Sequence, residues 1–278
     1  MEIFKTKTEL TTYLNTFDSE KSVGFTPTMG ALHSGHLQLI ESSKRDCDIS
    51  ICSIFVNPTQ FNNSGDLKKY PNTLKADLRK LKKVNCDIVY TPFIDDLYAK
   101  GEKAKEFNFG SLAASMEGEY RPGHFNGMAT IVEKFFNITN PTKAFFGQKD
   151  LQQLQIVKAL VKQMQSDIEI IGIHTIREGN GLAMSSRNAL LTTEGRKDAP
   201  LIFECLNYCR ANKNKGIDFL KSHTKTKFAK LKNFKLEYVE FVALNTMLPI
   251  TKWEKESENA ICIATYIDGV RLIDNIIL

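Results

Sequence analysis

Along the first two-thirds of the chain, apolar and polar positions fall into blocks that read as strand, helix, strand, helix. Residues 22–26 and 48–56 are short apolar runs suited to strands buried in a parallel sheet. Between them Leu37, Ile40 and Lys44 keep a helical spacing, with Ser34 as the expected N-cap. Residues 73–84 predict a helix with Leu74, Leu78 and Leu81 on one face, leading into a strand at 87–90. A helix over 126–137 carries Met128, Ile131, Val132, Phe135 and Phe136; a strand at 143–146, a helix at 150–165 and a strand at 168–174 follow. This alternation predicts a parallel, doubly wound sheet with helices on both faces, whose ligands bind beyond the carboxyl ends of the strands.

The texture changes after about residue 175. A Gly-rich loop, Glu178 to Gly181, precedes Met184-Ser185-Ser186-Arg187-Asn188. Helices are predicted over 192–210 and 217–231, and alternating segments at 236–244, 260–266 and 270–276 fit a small antiparallel sheet. The expected fold class is α/β: a Rossmann-like doubly wound parallel sheet domain, 1–175, followed by a smaller C-terminal α+β lid domain with an antiparallel sheet, 176–278.

Composition narrows the function class. The formal charge of +5 is mild, but lysines concentrate over 68–83 and 213–235. Without interleaved aromatic residues these clusters read as solvated helix faces, so no nucleic-acid partner is expected. A modestly positive cleft favours a small anionic substrate. No apolar run approaches a membrane span and the first 14 residues lack an apolar signal core, so no membrane association and a cytoplasmic location are expected. The six cysteines form no C-x-x-C pair and are read as small buried hydrophobes rather than as a zinc or redox site.

The richest chemistry lies at Met29-Gly30-Ala31-Leu32-His33-Ser34-Gly35-His36, a strand, a tight turn and the first turn of a helix. Helix N-termini present unpaired N–H groups and a positive dipole end, so phosphates bind there. Glycines let the backbone approach a ligand, and imidazoles donate to a phosphate that gains charge in a transition state. A second donor cluster is Met184-Ser185-Ser186-Arg187, which alone reads equally well as an ordinary turn. Gly147-Gln148-Lys149-Asp150 puts Lys149 at a strand-to-helix turn, with Asp150 as the expected N-cap; its ammonium would neutralise a transferring phosphoryl group. Gln60 and Gln153 offer donor and acceptor atoms to a hydroxy acid. Asp77, just after Tyr70 and Asn72, reads either as a Mg2+ ligand beside ATP phosphates or as a solvated helix carboxylate. No Walker-type G-x-x-x-x-G-K-[ST] sequence occurs.

Five motifs occur in order. They are Pro27 to His36, Phe55-Val56-Asn57-Pro58-Thr59-Gln60-Phe61, Arg121 to Phe125, Phe146 to Asp150 with Gln152-Gln153, and Gly181 to Asn188. Together they resemble the pantoate–β-alanine ligase family, of the adenylyl-transferring superfamily that also holds class I aminoacyl-tRNA synthetases. The resemblance covers essentially the whole chain. It implies ATP-dependent condensation of pantoate with β-alanine to pantothenate through a pantoyl adenylate, with release of pyrophosphate and AMP and with Mg2+ accompanying ATP, in a homodimer. It implies that Met29 to His36, Gly147 to Asp150, Ile176 and Met184 to Arg187 bind ATP, with His36 the proton donor and His33, Lys149, Ser185, Ser186 and Arg187 beside the phosphates. Gln60 and Gln153 would hold pantoate, with Asn57 and Tyr70 as secondary pocket residues. Two positions depart from the family pattern: Gln148 stands for a glutamate, and Ala76 for an acidic neighbour of Asp77. Competing readings are a nucleotidyltransferase that stops at the activated product, a tRNA-charging enzyme and an ATP-responsive interaction protein.

Overall fold

The computed structural model describes residues 1–61, 65, 67 and 70–278. Lys68 and Lys69, in the first lysine cluster, lie outside the described residues. The chain divides into two compact units. The first comprises Met1–Phe109, Arg121–Gly147 and Ile156–Ile173; the second comprises Gly110–Tyr120, Gln148–Gln155 and His174–Leu278.

The first unit is a parallel sheet of β1 (Glu2–Phe4), β2 (Val23–Thr28), β3 (Ile49–Ile54), β4 (Ile88–Tyr90), β5 (Lys143–Gly147) and β6 (Glu169–Ile173). Its order is β1-β4-β3-β2-β5-β6, with every pairing parallel. From β2 the chain winds outward through β3 and β4 in one direction and through β5 and β6 in the other. The reversal lies between β2 and β5, the place where such sheets open a crevice at their carboxyl ends. The longer helices among the described residues of this unit are α1 (Lys7–Leu14), α2 (Ser34–Asp46), α3 (Leu74–Lys83), α4 (His124–Thr139) and α5 (Leu151–Gln163) from Ile156 onward. Phe25 of β2 is fully buried against the ring edges of Phe135 and Phe136 on α4, at 5.6 and 6.2 Å between centroids. Burying one such ring contributes about 1.5–3 kcal/mol.

Three local expectations need correction. Strand β1 has no counterpart in the apolar pattern, because it has three residues and leaves Ile3 exposed. The N-cap of α2 is His33 rather than Ser34, which is already the first helical residue. On α3, Leu81 is buried as expected, but Leu74 is exposed while Asp77 has no exposure at all.

The second unit carries β7 (Phe234–Ala243), β8 (Asn259–Ile267) and β9 (Val270–Ile277) as an antiparallel sheet in the order β7-β8-β9. After His174 its helices are α6 (Thr193–Asp198), α7 (Leu201–Ala211) and α8 (Ile217–Phe228). The single helix expected over 192–210 is two, because Pro200 stands between them and has no N–H to continue the ladder. Strand β8 shows period two: Ile261, Ile263 and Ile267 join the core made by Cys205, Leu206 and Leu220 of the helices. Ala260, Cys262 and Ala264 face the other way and pack with Met116 and Leu151. The fold class is therefore the one the alternation predicts.

Five cysteines are buried and Cys47 is intermediate. Burial pushes the Cys86 thiol up to about 11 and that of Cys205 to about 12, so neither supplies a thiolate at neutral pH. Among the described residues no helix is long and apolar enough to cross a membrane.

Candidate active site

The β2–α2 turn is built by residues far apart in sequence. Gly30 lies at φ +84°, and a Cβ there would stand 3.3 Å from Asp77 Oδ2 and 3.2 Å from Ile54 Cγ2. Ala31 follows at φ +49°, a left-handed conformation that costs a non-glycine residue about 1–2 kcal/mol. What holds it is α3. Asp77 accepts the N–H of Ala31 on Oδ2 at 2.9 Å and that of Leu32 on Oδ1 at 2.8 Å. Lys80, one turn later, donates to the Leu32 carbonyl. The Thr73 hydroxyl donates to Asp77 Oδ2 at 2.9 Å.

Asp77 is thus neither a solvated carboxylate nor an open metal ligand, since both oxygens are engaged in the interior. Among the described residues, no group of three or more His, Cys, Asp or Glu is placed to hold a metal. Asp77 does not fit the expected Mg2+ role; it fixes the turn instead.

The turn delivers two imidazoles to the start of α2. His33 and His36 lie with ring centroids 4.0 Å apart, tilted by 33°. The His33 N–H donates to His36 Nδ1 at 3.3 Å, as an N-cap N–H does to a glutamate in a capping box. A neutral His36 therefore carries its proton on Nε2, which makes Nε2–H the donor it presents.

The β3 end builds a second polar patch of the same unit. Gln60, nearly buried, donates from Nε2 to Met29 Sδ at 3.0 Å and accepts from Asn57 Nδ2 at 3.2 Å. Asn57 is 1% exposed and also donates to the Gly127 carbonyl at 3.0 Å, while Tyr98 donates its hydroxyl to Asn57 Oδ1 at 2.9 Å. Asn57 is therefore tied into the scaffold that holds Gln60, rather than open as a pocket residue. Tyr70 meets Phe61 edge-on, with ring centroids 5.9 Å apart.

His124, not singled out from sequence, belongs to the same support. Its Nδ1 pairs with the Gln60 carbonyl at 2.9 Å, and Arg121 donates to its Nε2 at 3.1 Å, which fixes the Nδ1–H tautomer. Gly127 allows this closeness, because a Cβ there would lie 2.2 Å from the Thr59 carbonyl oxygen. The sequence signals it through the Arg121 to Phe125 motif and the polar start of this helix, neither of which gives His124 a role by itself.

The remaining predicted residues belong to the second unit, except Gly147, which ends β5. Gln148–Asp150 is a 3-10 turn that runs directly into α5. Here Asp150 meets the Lys149 ammonium, at 3.2 Å to Oδ2. Gln153 is half-buried on α5. Its neighbour Gln152 is buried and tied to the Glu117 N–H at 3.0 Å and to the Leu112 and Ser115 carbonyls.

Ile176 to Met184 forms a small hairpin. The Met184 N–H donates to the Ile176 carbonyl at 2.9 Å, which sets these two predicted nucleotide-binding residues side by side. Gly181 turns the loop at φ +93°, where a Cβ would press to 2.7 Å from the Phe203 ring. Asn188 then fastens the strand after the turn, donating to the Ala183 carbonyl and to Glu178, each at 3.0 Å. The Ser185 hydroxyl accepts the Arg187 N–H at 3.2 Å and keeps its own proton to donate. Ser186 and Arg187 are thus carried by a braced 3-10 turn, Ser186–Leu190, with Ser185 as its N-cap.

Comparison with known proteins gives the same answer across the whole chain. The family model for pantoate-beta-alanine ligase matches residues 2–277. The pantothenate synthetase of Azobacteroides pseudotrichonymphae is 47% identical over 279 residues, covering 99% of each chain. That of Flavobacterium psychrophilum is 45% identical over 284 residues, covering 100% of each. Among solved structures, pantothenate synthetase from Thermus thermophilus superposes with a TM-score of 0.93 at 34% identity, covering 99% of both chains. Pantoate-beta-alanine ligase from Francisella tularensis, solved with beta-gamma ATP and beta-alanine, gives 0.84 at 36% identity, covering 99% of this chain and 97% of that one. This chain belongs to the pantoate–beta-alanine ligase family.

Proposed function

We propose that the protein condenses pantoate with β-alanine, using ATP, through a pantoyl adenylate. A pantoate carboxylate oxygen attacks the α-phosphorus of ATP, and the bond to the pyrophosphate oxygen breaks. The β-alanine amine then attacks the acyl carbon, the bond to the adenylate oxygen breaks, AMP leaves, and the amine gives up a proton. The ATP and β-alanine bound to the Francisella tularensis relative support both as ligands here.

The observation that carries this reading is the His33–His36 arrangement at the start of α2. A carboxylate and a triphosphate repel, so the first step needs donors aimed at the phosphates. Neutral His36 offers Nε2–H because its Nδ1 is occupied by the His33 N–H. Orphan N–H groups at the helix start add to it. Lys149, Ser185, Ser186 and Arg187 are proposed to supply further phosphate donors, Ile176 and Met184 to meet the adenosine, and Gln60 and Gln153 to hold pantoate. Magnesium is proposed to arrive with the ATP phosphates, which hold it largely by their own oxygens and water. A cytoplasmic homodimer is the expected form, which gel filtration with light scattering tests.

The deciding experiment is stepwise. Incubation with ATP and pantoate should release pyrophosphate and leave an acyl adenylate detectable by mass spectrometry. Addition of β-alanine should then release AMP and pantothenate. Pyrophosphate release with no AMP on adding β-alanine would mark a nucleotidyltransferase and end the ligase reading.

A further inference from the structure

Two adjacent residues of β9, Asp274 and Asn275, hold both predicted nucleotide-binding segments of the second unit. Asn275 is 6% exposed and its side-chain amide donates to the carbonyls of Gln148 at 2.9 Å and Lys149 at 2.7 Å. One amide thus takes two successive carbonyls of the turn that carries the Lys149 ammonium. Asp274 is 3% exposed and receives Arg177 in a two-pronged pair, Nη1 to Oδ2 at 2.6 Å and Nη2 to Oδ1 at 3.0 Å. The same guanidinium donates to the Gly181 carbonyl at 3.1 Å and lies 3.7 Å over the Phe203 ring. Arg177 belongs to the hairpin that sets Ile176 beside Met184 and leads into Ser185 to Arg187.

The arrangement is more elaborate than packing alone requires. The Asn275 N–H donates to Asp274 Oδ1 at 2.8 Å, so the two residues are locked to each other as well as to their loops. An apolar pair would fill the same volume at lower desolvation cost, since buried ion pairs rarely add net stability. What the polar pair supplies is direction: a planar fork and a planar amide each fix one loop relative to a rigid strand.

We propose that Asp274 and Asn275 are positioning residues for ATP, which set the Lys149 turn and the Ile176–Arg187 segment in fixed register through β9. This rests on the ligase reading above. Each acts through the loop it holds and not on the reacting atoms.

The test uses the full-length chain and two readouts, calorimetric binding of a non-hydrolysable ATP analogue and steady-state AMP release. Asn275→Ala should weaken analogue binding and raise the KM for ATP by about tenfold. Its KM for β-alanine should stay within about threefold of the parent. Arg177→Lys keeps the charge opposite Asp274 but loses the fork, and should weaken analogue binding about fivefold with the fold intact by circular dichroism. If both variants, or the one that folds, bind the analogue within twofold of the parent, the proposal is overturned. A parent chain that binds the analogue but makes no pantothenate ends the ligase reading and leaves the positioning claim to the variants' binding data. A parent chain that does not bind the analogue overturns both.

Discussion

The Leu32 N–H donates to Asp77 Oδ1 at 2.8 Å, across 45 residues of sequence. This bond and its companion to Ala31 decide the shape of the turn that presents His33 and His36. Asp77→Ala strands two N–H groups without their acceptor, each costing about 1–3 kcal/mol when buried. The variant should melt several degrees lower and lose at least tenfold in kcat/KM for ATP. Asp77→Asn, which keeps one acceptor oxygen, should fall between. Thermal melts and AMP-release kinetics check both, and parent-like kinetics in Asp77→Ala would remove the turn from the mechanism.

His36→Ala and Lys149→Ala should each lower kcat by about a hundredfold or more, the usual effect of deleting a donor to transition-state charge. The melting temperature should hardly move for Lys149→Ala, whose ammonium pairs with the adjacent, half-exposed Asp150, and should fall slightly for His36→Ala, which loses the acceptor of the His33 N–H. Steady-state AMP release reads the first effect, and differential scanning fluorimetry the second.

Gly127→Ala places a methyl 2.2 Å from the Thr59 carbonyl oxygen and 2.7 Å from the Gln60 nitrogen. Helix α4 or the Gln60 turn must shift, at a cost of about 1–3 kcal/mol. If Gln60 holds pantoate, the KM for pantoate should rise at least tenfold, with that for ATP less affected. Equal effects on both substrates would detach Gln60 from pantoate.

Acid should weaken the first unit in a defined window. Burial draws the Asp87 carboxylate upward, but Lys44 at 2.8 Å and the Ser50 N–H and hydroxyl, also at 2.8 Å, hold it below the ordinary carboxylate range. A lowered folded value means the ionised form stabilises the fold fully above about pH 4. That contribution is lost as pH falls through the lower folded value. The melting-temperature gap between the parent and Asp87→Asn should therefore be widest at pH 7 and narrow towards pH 3. A gap that does not change with pH would refute the assignment.

Much of this was legible from the chain because the information is local. Strands β2, β3 and β5 bury the apolar residues that mark them, among them Phe25, Ile49, Ile51 and Phe145, and the histidine pair follows β2 within one turn. The errors arise where a distant partner decides. Leu74 fits the apolar spacing of its helix yet is exposed, while Asp77 on that helix is buried, because two backbone N–H groups of the β2–α2 turn claim its carboxylate. Asn57 resembles a ligand-facing amide until Gly127 and Tyr98 claim both ends of it. His33 rather than Ser34 caps α2 because His36 reaches back to its N–H. No spacing rule carries those partnerships.

The second unit takes Met116 and Leu151 from stretches that interrupt the first. A ribosome has therefore translated both side chains before it reaches Tyr238, Val242 or Ala264, the residues they cover. Until β8 emerges, the nascent chain carries those two apolar groups unsheltered. A gene cut once, just before His174, yields a C-terminal product that lacks Met116 and Leu151 and leaves that side of its sheet bare. Splitting this enzyme into two separately expressed halves should give aggregates unless both pieces are made together.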